Sequence, residues 1–352
     1  MDMQNRPHKG VYLQQFKEPA LSREIRTFLN ASASETLIEH PATKELDDLT
    51  AWEIVDIARQ AGIVDERDGR PLYQKLQRAR DKEIRAVVID AMDDEPFVSS
   101  QLGVLLHMRD SVSFGLKAVR KAVEAESSVI AVYKNLTDAE TRIPGSIDGV
   151  RVARIGGKYP AELHLSRELG LRKAYITVGV CALVFLARAI ISGQMQKSCF
   201  ITVAGNCIAN PTNLEVSLGM NLSMVLERCG LADNPTRVVI GGSMTGISIM
   251  DTDKTLISPT TRAVLAFRED EKERNYTCIG CGRCTAVCPQ DLDPMFIYRA
   301  VKNRRLSMLG FLKAEKCVGC GTCSYVCPSK LPLSTVISKY SKPDGEEDEA
   351  CN

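Results

Sequence analysis

The chain has 352 residues, with 45 basic and 44 acidic side chains and a net charge of +1. This balance, together with an aromatic content of only 5%, argues against a nucleic-acid-binding protein and against a protein drawn to an anionic membrane surface. A hydrophobic fraction of 44% and a charged fraction of 25% are typical of a globular chain with about two or three domains.

After an N-terminal segment, residues 1–45, helix and strand patterns alternate over residues 46–195. The predicted helices are 47–63, 112–124, 162–168 and 182–191, and the predicted strands are 86–89, 129–133, 150–155 and 173–178. Short apolar runs that alternate with amphipathic helices favour an α/β domain with a parallel sheet. We therefore predict an α/β domain over 46–195.

Residues 196–268 have a different pattern. Strands are predicted at 200–205, 214–216 and 238–240, with a helix at 220–229 that is closed by Gly230. Strands and helix in this order indicate a compact α+β unit.

The most apolar stretch of the chain is 174–193, but Arg188 interrupts it. A spanning helix needs about 20 predominantly apolar residues, so this stretch predicts a buried strand and helix rather than a transmembrane segment. The first residues carry no apolar core of an export signal. We expect a cytoplasmic protein, in which the thirteen cysteines are metal ligands or, outside the motifs, buried thiols, with Cys351 in the tail as an exposed thiol, rather than disulfides.

The C-terminal region, 269–340, contains two copies of a four-cysteine motif with the spacing C-x₂-C-x₂-C-x₃-C-P. The first copy comprises Cys278, Cys281, Cys284 and Cys288, and the second, offset by 39 residues, comprises Cys317, Cys320, Cys323 and Cys327. Three thiolates at this spacing can hold three corners of an iron–sulfur cube. Structural zinc sites usually pair their ligands across a longer loop, so zinc is the weaker interpretation.

The motifs predict two [4Fe–4S] clusters in a helical ferredoxin domain. In two-cluster ferredoxins of this spacing, the fourth cysteine ligates the other cluster. The expected ligands are Cys278, Cys281, Cys284 and Cys327 for cluster 1, and Cys317, Cys320, Cys323 and Cys288 for cluster 2. Residues 341–352 are rich in carboxylates and predict a disordered acidic tail.

The order of these elements resembles the RnfC-like family, which includes the RnfC component of Rnf electron-transport complexes, a microcompartment cobalamin reductase and an electron-transfer protein associated with proline reductase. The segments that carry the resemblance are 51–64, 88–97, 158–160, 177–179, 200–231 and 241–246. The resemblance implies a flavin-domain-like α/β unit and a β-grasp unit of the SLBB type over 196–268. It also implies a redox partner protein, or a membrane or microcompartment complex to which the chain would be peripheral.

The chain departs from the family in one segment that the family uses to bind its cofactors. The family's glycine-rich loop, which approaches FMN or NADH phosphates, corresponds here to 65–72, with one glycine and three carboxylates. The sequence is therefore an atypical member that lacks the nucleotide loop. If FMN binds, the resemblance places it near Asp90, Asp93 and Glu95.

These observations predict an electron-transfer protein that relays single electrons through two clusters, as a component of an anaerobic oxidoreductase rather than a stand-alone enzyme. One alternative is a diaphorase in which FMN and NADH feed the clusters. Another is the iron–sulfur subunit of an anaerobic dehydrogenase, which would carry additional cysteines near its N-terminus, whereas no cysteine precedes Cys181.

Overall fold

A computed structural model describes residues 25–28, 45–134, 143–171, 175–232, 234–268 and 277–341. The predicted N-terminal segment and the acidic tail lie almost entirely outside these residues. The chain divides into two compact units, each built from two stretches of sequence. Unit 1 comprises Met1–Gly156 and His164–Arg268, and unit 2 comprises Gly157–Leu163 and Glu269–Asn352.

The described strands all belong to unit 1. They are β1 (Ile25–Phe28), β2 (Ala86–Asp90), β3 (Ser127–Tyr133), β4 (Ser146–Ile147), β5 (Val150–Ile155), β6 (Tyr175–Gly179), β7 (Ser198–Ala204), β8 (Thr212–Ser217), β9 (Arg237–Ile240), β10 (Ile247–Ile249) and β11 (Ala263–Phe267). The helices of unit 1 are α1 (Ala51–Gln60), α2 (Leu72–Asp81), α3 (Ser100–His107), α4 (Arg109–Val123), α5 (Leu165–Leu169), α6 (Val180–Ser192) and α7 (Leu222–Arg228). Those of unit 2 are α8 (Arg283–Val287), α9 (Pro294–Lys302), α10 (Met308–Phe311), α11 (Thr322–Tyr325) and α12 (Leu333–Ile337).

The first sheet of unit 1 has the strand order β4-β5-β3-β2-β6. Four neighbouring strands are parallel, and the short β4 pairs antiparallel with β5. The chain passes from β2 to β3 and β5 on one side and then returns to β6 on the other side of β2. The order of the strands thus reverses between β2 and β6, and ligand crevices in α/β sheets lie at the carboxyl ends of strands at such a point.

The second sheet of unit 1 has the order β1-β8-β7-β11-β9-β10 and mixes parallel with antiparallel pairs. Helix α7 packs its buried Leu222, Val225 and Leu226 into the apolar core of this sheet. The predicted strands at 200–205, 214–216 and 238–240 correspond to β7, β8 and β9.

The start of α1 illustrates how local sequence determines an element. The hydroxyl oxygen of Thr50 accepts a hydrogen bond from the Glu53 amide at 3.2 Å, and Glu53 Oε2 accepts one from the Thr50 amide at 2.7 Å. This capping box satisfies two amides that a helix start otherwise leaves unpaired. The helix then buries Ile54, Val55 and Ile57 against the core of the first sheet.

Unit 2 is helical, and its described core combines aliphatic residues with cysteines. Ile297 of α9 and Leu333 and Ile337 of α12 are buried beside Cys284 and Cys323. Helix α9 lies between the two cysteine motifs. The α/β class with a parallel sheet and a helical C-terminal region is therefore confirmed. Among the described residues, no helix has the length and apolar character that crossing a membrane would require.

Candidate functional site

The eight motif cysteines line two separate cavities of unit 2. The first cavity is lined by Cys278, Cys281, Cys284 and Cys327. The second is lined by Cys288, Cys317, Cys320 and Cys323. In each cavity, three cysteines come from one motif and the fourth comes from the other motif, which is the grouping expected for crossed ligation.

Two glycines position the cysteines at the start of short helices. Gly282 precedes α8 and Gly321 precedes α11, with φ of 71° and 77° respectively. This left-handed conformation is open to glycine at little cost. The sharp turn places the third cysteine of each motif, Cys284 or Cys323, in the first turn of the following helix, so that its thiol joins those of the loop.

The thiols of the second cavity also affect one another electrostatically. Burial, and next the neighbouring Cys320, Cys317 and Cys288, raise the pKa of Cys323 to about 12, although a backbone hydrogen bond opposes the shift. Burial and the neighbouring Cys320 and Cys288 likewise raise the pKa of Cys317. Cys288 is thus close to the thiols of the second motif, although it belongs to the first. Buried protonated thiols in this arrangement would release protons when they bind metal.

The two cavities differ in exposure. The first has a volume of about 240 Å³ and the second about 20 Å³. Cys281 is exposed at the first cavity, and two apolar side chains on its lining, Ile279 and Phe296, are 70% and 53% exposed. In the second cavity three of the four cysteines are buried. The first cavity is therefore the more accessible from solvent.

Backbone amides donate to two of the motif sulfur atoms, and a lysine contacts the backbone beside one of them. The Gly280 amide donates to Cys278 Sγ and the Leu292 amide donates to Cys288 Sγ, both at 3.4 Å. Lys158 Nζ donates to the carbonyl oxygen of Cys288 and to Asp291 Oδ1, each at 2.7 Å. Hydrogen bonds and charge near the ligands are among the factors that set the potential of an iron–sulfur cluster.

The donor set fits iron–sulfur clusters better than single metal ions. Four cysteines per cavity supply the thiolates that a [4Fe–4S] cluster needs. Within the described part of the chain, no three His, Cys, Asp or Glu side chains form a group that could hold one metal ion.

A second candidate site lies at the carboxyl ends of β2 and β6, where the strand order reverses. Asp65 Oδ2 accepts a hydrogen bond from the Gly179 amide at 3.1 Å. Glu66 Oε1 accepts from the Cys181 amide at 2.9 Å, and Glu66 Oε2 accepts from the Ala182 amide at 3.1 Å. These amides belong to the end of β6 and the first turn of α6. Asp65 and Glu66 are therefore hydrogen-bonded to the carboxyl end of β6 and to the first turn of α6.

The third residue of this turn contacts the neighbouring strand. Arg67 Nε lies 2.9 Å from Asp90 Oδ2, and Arg67 Nη1 donates to the Met92 carbonyl at 3.1 Å. Both side chains of this ion pair are more than nine-tenths buried. The residues Asp65–Arg67, called the crevice turn below, are thus bonded to both strands that border the crevice.

The structure places the three predicted flavin residues in internal contacts. Asp90 pairs with Arg67, and Glu95 accepts hydrogen bonds from the Met244 and Thr245 amides at 2.9 and 3.1 Å. Asp93 Oδ2 accepts from the Leu102 amide at 2.9 Å, whereas its Oδ1 is buried without a hydrogen-bond partner. Burial raises the pKa of Asp93 to about 6.

Burial, and next the charge of Asp65, raise the pKa of Glu66 to about 7, although hydrogen bonds from backbone amides oppose the shift. The unfolded chain releases this proton near the ordinary value of 4.5, whereas the folded protein keeps it up to about pH 7. The contribution of Glu66 to stability is therefore most favourable below about pH 4.5 and falls as the pH rises to about 7.

We expect the variant Glu66→Gln to lack this fall, because glutamine does not titrate. Urea unfolding, followed by the fluorescence of Trp52, the only tryptophan, gives the free energy of unfolding at several values between about pH 5.5 and 7.5. The natural protein should lose stability relative to the variant over this range. Titration of Asp93 occurs in both proteins and cancels in the difference. Parallel curves would contradict the prediction.

Comparison with known protein families gives one match in the cysteine-bearing region and one in the region of the second sheet. The family described as "4Fe-4S dicluster domain" matches residues 277–331, and the family described as "SLBB domain" matches residues 200–248. These two matches confirm the predicted ferredoxin-like and SLBB-like units.

Two curated relatives cover most of the chain. The C subunit of the Na⁺-translocating ferredoxin:NAD⁺ oxidoreductase complex of Acetobacterium woodii is 28% identical over 72% of this chain and 61% of its own length. The C subunit of the proton-translocating ferredoxin:NAD⁺ oxidoreductase complex of Clostridium ljungdahlii is 25% identical over 73% of this chain and 60% of its own length. The chain thus spans about three fifths of the length of these relatives.

A solved structure supports the fold. A chain of an NAD⁺-reducing [NiFe]-hydrogenase in the air-oxidized state has a TM-score of 0.54 and 15% sequence identity, covering 86% of this chain and 62% of that chain. At this identity the likeness concerns the fold alone.

Two residues of the described sites carry no signal in the sequence patterns. Glu66 lies 115 residues before Cys181, and Lys158 lies 130 residues before Cys288. Only the missing glycines at 65–72 pointed to the crevice, and the resemblance at 158–160 gave Lys158 no role.

Proposed function

We propose that this chain, which is related over most of its length to the RnfC-like proteins, is an electron-transfer subunit that relays single electrons through two [4Fe–4S] clusters. The observation that carries the proposal is the division of eight motif cysteines into two cavities of four thiols each. Each cluster, when bound, would accept and release one electron at a time.

The ligand sets follow from the same division. Cluster 1 would be held by Cys278, Cys281, Cys284 and Cys327, and cluster 2 by Cys288, Cys317, Cys320 and Cys323. Crossed ligation of this kind supports close spacing of the two clusters, because the segment after each motif's third cysteine has to reach the other cluster. The exposed side of the first cavity favours cluster 1 as the one at which electrons are exchanged with a partner.

The charge of the described cysteine-bearing segment, residues 277–341, supports an acidic protein as that partner, although flanking acidic residues bring unit 2 as a whole to 13 basic and 13 acidic side chains. Residues 277–341 contain nine Lys or Arg residues and three Asp or Glu residues, although the whole chain is nearly neutral. Exposed apolar side chains, Leu306, Met308 and Phe311, lie in the same part of the chain as exposed Arg304 and Lys313. A basic surface with apolar side chains is suited to an acidic redox protein, and opposite charges speed such encounters.

The names of the curated relatives describe subunits of ion-translocating ferredoxin:NAD⁺ oxidoreductase complexes. We extend this to the chain as the proposal that it works in a complex of this type, at its periphery. FMN, the other cofactor that the resemblance implies, fits the described residues poorly. Asp90 and Glu95 are engaged in internal contacts, and Glu66 occupies the amides at the start of α6.

The test is the metal content of anaerobically purified or reconstituted protein. We expect about eight iron and eight sulfide ions per chain, as two [4Fe–4S] clusters require. Reduction should give an electron paramagnetic resonance spectrum with the magnetic interaction of two neighbouring clusters. The control variant Cys229→Ala, which removes a buried thiol outside the motifs, should keep the full iron content. Stoichiometric zinc, or far fewer irons, would overturn the proposal.

A further inference from the structure

The crevice between β2 and β6 has the features that bind a phosphate in other α/β sheets. The strand order reverses there, and the first turn of the thirteen-residue helix α6 presents amides that have no acceptor within the helix. Backbone amides at a helix N-terminus, assisted by the helix dipole, form a ready anion site. A phosphate or carboxylate is therefore the group that would stabilise this helix end.

In this chain an internal carboxyl group takes the place of a bound anion. The Cys181 and Ala182 amides donate to the two carboxylate oxygens of Glu66, and the Gly179 amide donates to Asp65. Asp65 is fully buried and Glu66 is 6% exposed. A phosphate would need the same amides, so it could bind only if Glu66 left them.

The packing around Glu66 leaves little room for any additional group. A Cβ atom on Gly179 would overlap the Glu66 carboxylate, so the two residues are packed with no room for an added methyl group between them. On the other side of the crevice, Arg67 pairs with Asp90 and holds the turn against β2. Lys75, 2.6 Å from Asp65 Oδ2, adds a second buried ion pair that fixes the turn from α2.

We propose that the crevice turn, Asp65–Arg67, is a built-in substitute for the phosphate of a nucleotide cofactor, with the Glu66 carboxylate on the amides of α6, so that the α/β sheet of this chain binds neither FMN nor NADH in this crevice. The contacts of the crevice turn that support this proposal do not depend on the proposed electron relay. Its consequence for the relay is that the chain has no hydride acceptor in the crevice, because each cluster takes a single electron. An electron donor that reduces the clusters of this chain directly is then a one-electron carrier.

The first experiment uses the natural protein with its clusters. Anaerobically purified protein should contain no stoichiometric flavin, and titration with FMN or NADH should leave the fluorescence of FMN and the unfolding midpoint of unit 1, followed by Trp52, unchanged. Binding of about one FMN per chain would overturn the proposal. Iron and sulfide are measured on the same sample. A stoichiometric flavin together with a full iron content would contradict the proposal that Glu66 fills the crevice, but not the proposed relay. Absence of both flavin and iron contradicts the relay alone.

The second experiment opens the crevice. The variant Glu66→Ala frees the Cys181 and Ala182 amides, and we expect inorganic phosphate to raise its unfolding midpoint by about 2–4 °C once phosphate exceeds its dissociation constant about tenfold. Chloride at the same ionic strength should have no such effect. The natural protein should not respond to phosphate.

Two matched variants complete the test. Asp68 lies in the same loop, and its carboxylate contacts Lys75 but has no described contact with α6. The variant Asp68→Ala should therefore show no change of its unfolding midpoint with phosphate. Glu66→Gln keeps a side-chain oxygen that can accept a hydrogen bond from an α6 amide, so its unfolding midpoint should also not respond to phosphate. Equal phosphate responses in the natural protein and in Glu66→Ala would overturn the proposal, as would a folded Glu66→Ala variant without a response. If Glu66→Ala does not fold, the FMN titration of the natural protein decides.

Discussion

Replacing Cys288 and Cys320 together with alanine should cost no more iron than replacing either of them alone. Both thiols line the second cavity, so each single change removes a ligand of cluster 2, and the second change affects a cluster that is already lost. Iron analysis of anaerobically reconstituted protein should fall from about eight to about four ions per chain in all three variants.

The matched double variant replaces Cys284 and Cys288, which are neighbours in one motif but line different cavities. Here both clusters lose a ligand, and the iron content should approach zero. If each motif instead held its own cluster, the two double variants would exchange their results. Equal iron contents in the two double variants would contradict crossed ligation.

Removing Asp65 is expected to cause the largest loss of stability among single changes in the crevice turn. In Asp65→Ala the ammonium group of Lys75, whose side chain is 9% exposed, loses its buried partner, and the Gly179 amide loses its acceptor. Burial alone would lower the pKa of Lys75, but Asp65 and Asp68 together raise it. Loss of one member of a buried ion pair costs about 3–5 kcal/mol, and because Asp68 remains, we expect about 3 kcal/mol.

The control is Asp68→Ala, which removes the other carboxylate from the same lysine. Asp68 lies 2.8 Å from Lys75 Nζ, but its side chain is 34% exposed, so its loss should cost less than about 1 kcal/mol. Urea unfolding of both variants, followed by Trp52 fluorescence in unit 1, measures the difference. Equal losses would mean that Asp65 does not hold the crevice turn in place.

The sequence was sufficient for features whose determinants are local. Each four-cysteine motif lies within twelve residues, and the two copies predicted the dicluster domain, which the family match to 277–331 confirms. Apolar runs predicted β2 and β3 closely, because these strands lie in the middle of the parallel sheet and are largely apolar. The bounds of β5 and β7 were also close, although β5 includes the exposed Arg151 and Arg154 and β7 lies in the mixed sheet. The resemblance to the RnfC-like family, carried by short segments, is confirmed by relatives that align over most of the chain.

Other features depend on contacts between distant parts of the chain. The sequence showed carboxylates at 65–68 in place of the family's glycine-rich loop, but it could not show that two of them are buried on the amides of β6 and α6. Helix α2 was missed because it is rich in Arg, Gln and Lys and buries only Leu72, Leu76 and Ala79, a narrow face. The predicted flavin positions, Asp90, Asp93 and Glu95, and the cluster ligands stay predictions until cofactors are measured.

The assignment of Gly157–Leu163 to unit 2 affects how the cluster-bearing unit can be produced. Lys158 contacts the Cys288 carbonyl and Asp291, yet it is synthesised long before either of them. A fragment that begins at Glu269 would contain all eight motif thiols and still omit this lysine. During translation, one support of the second cavity is therefore already made, and must be kept available, before the ribosome has produced any residue of the first cysteine motif.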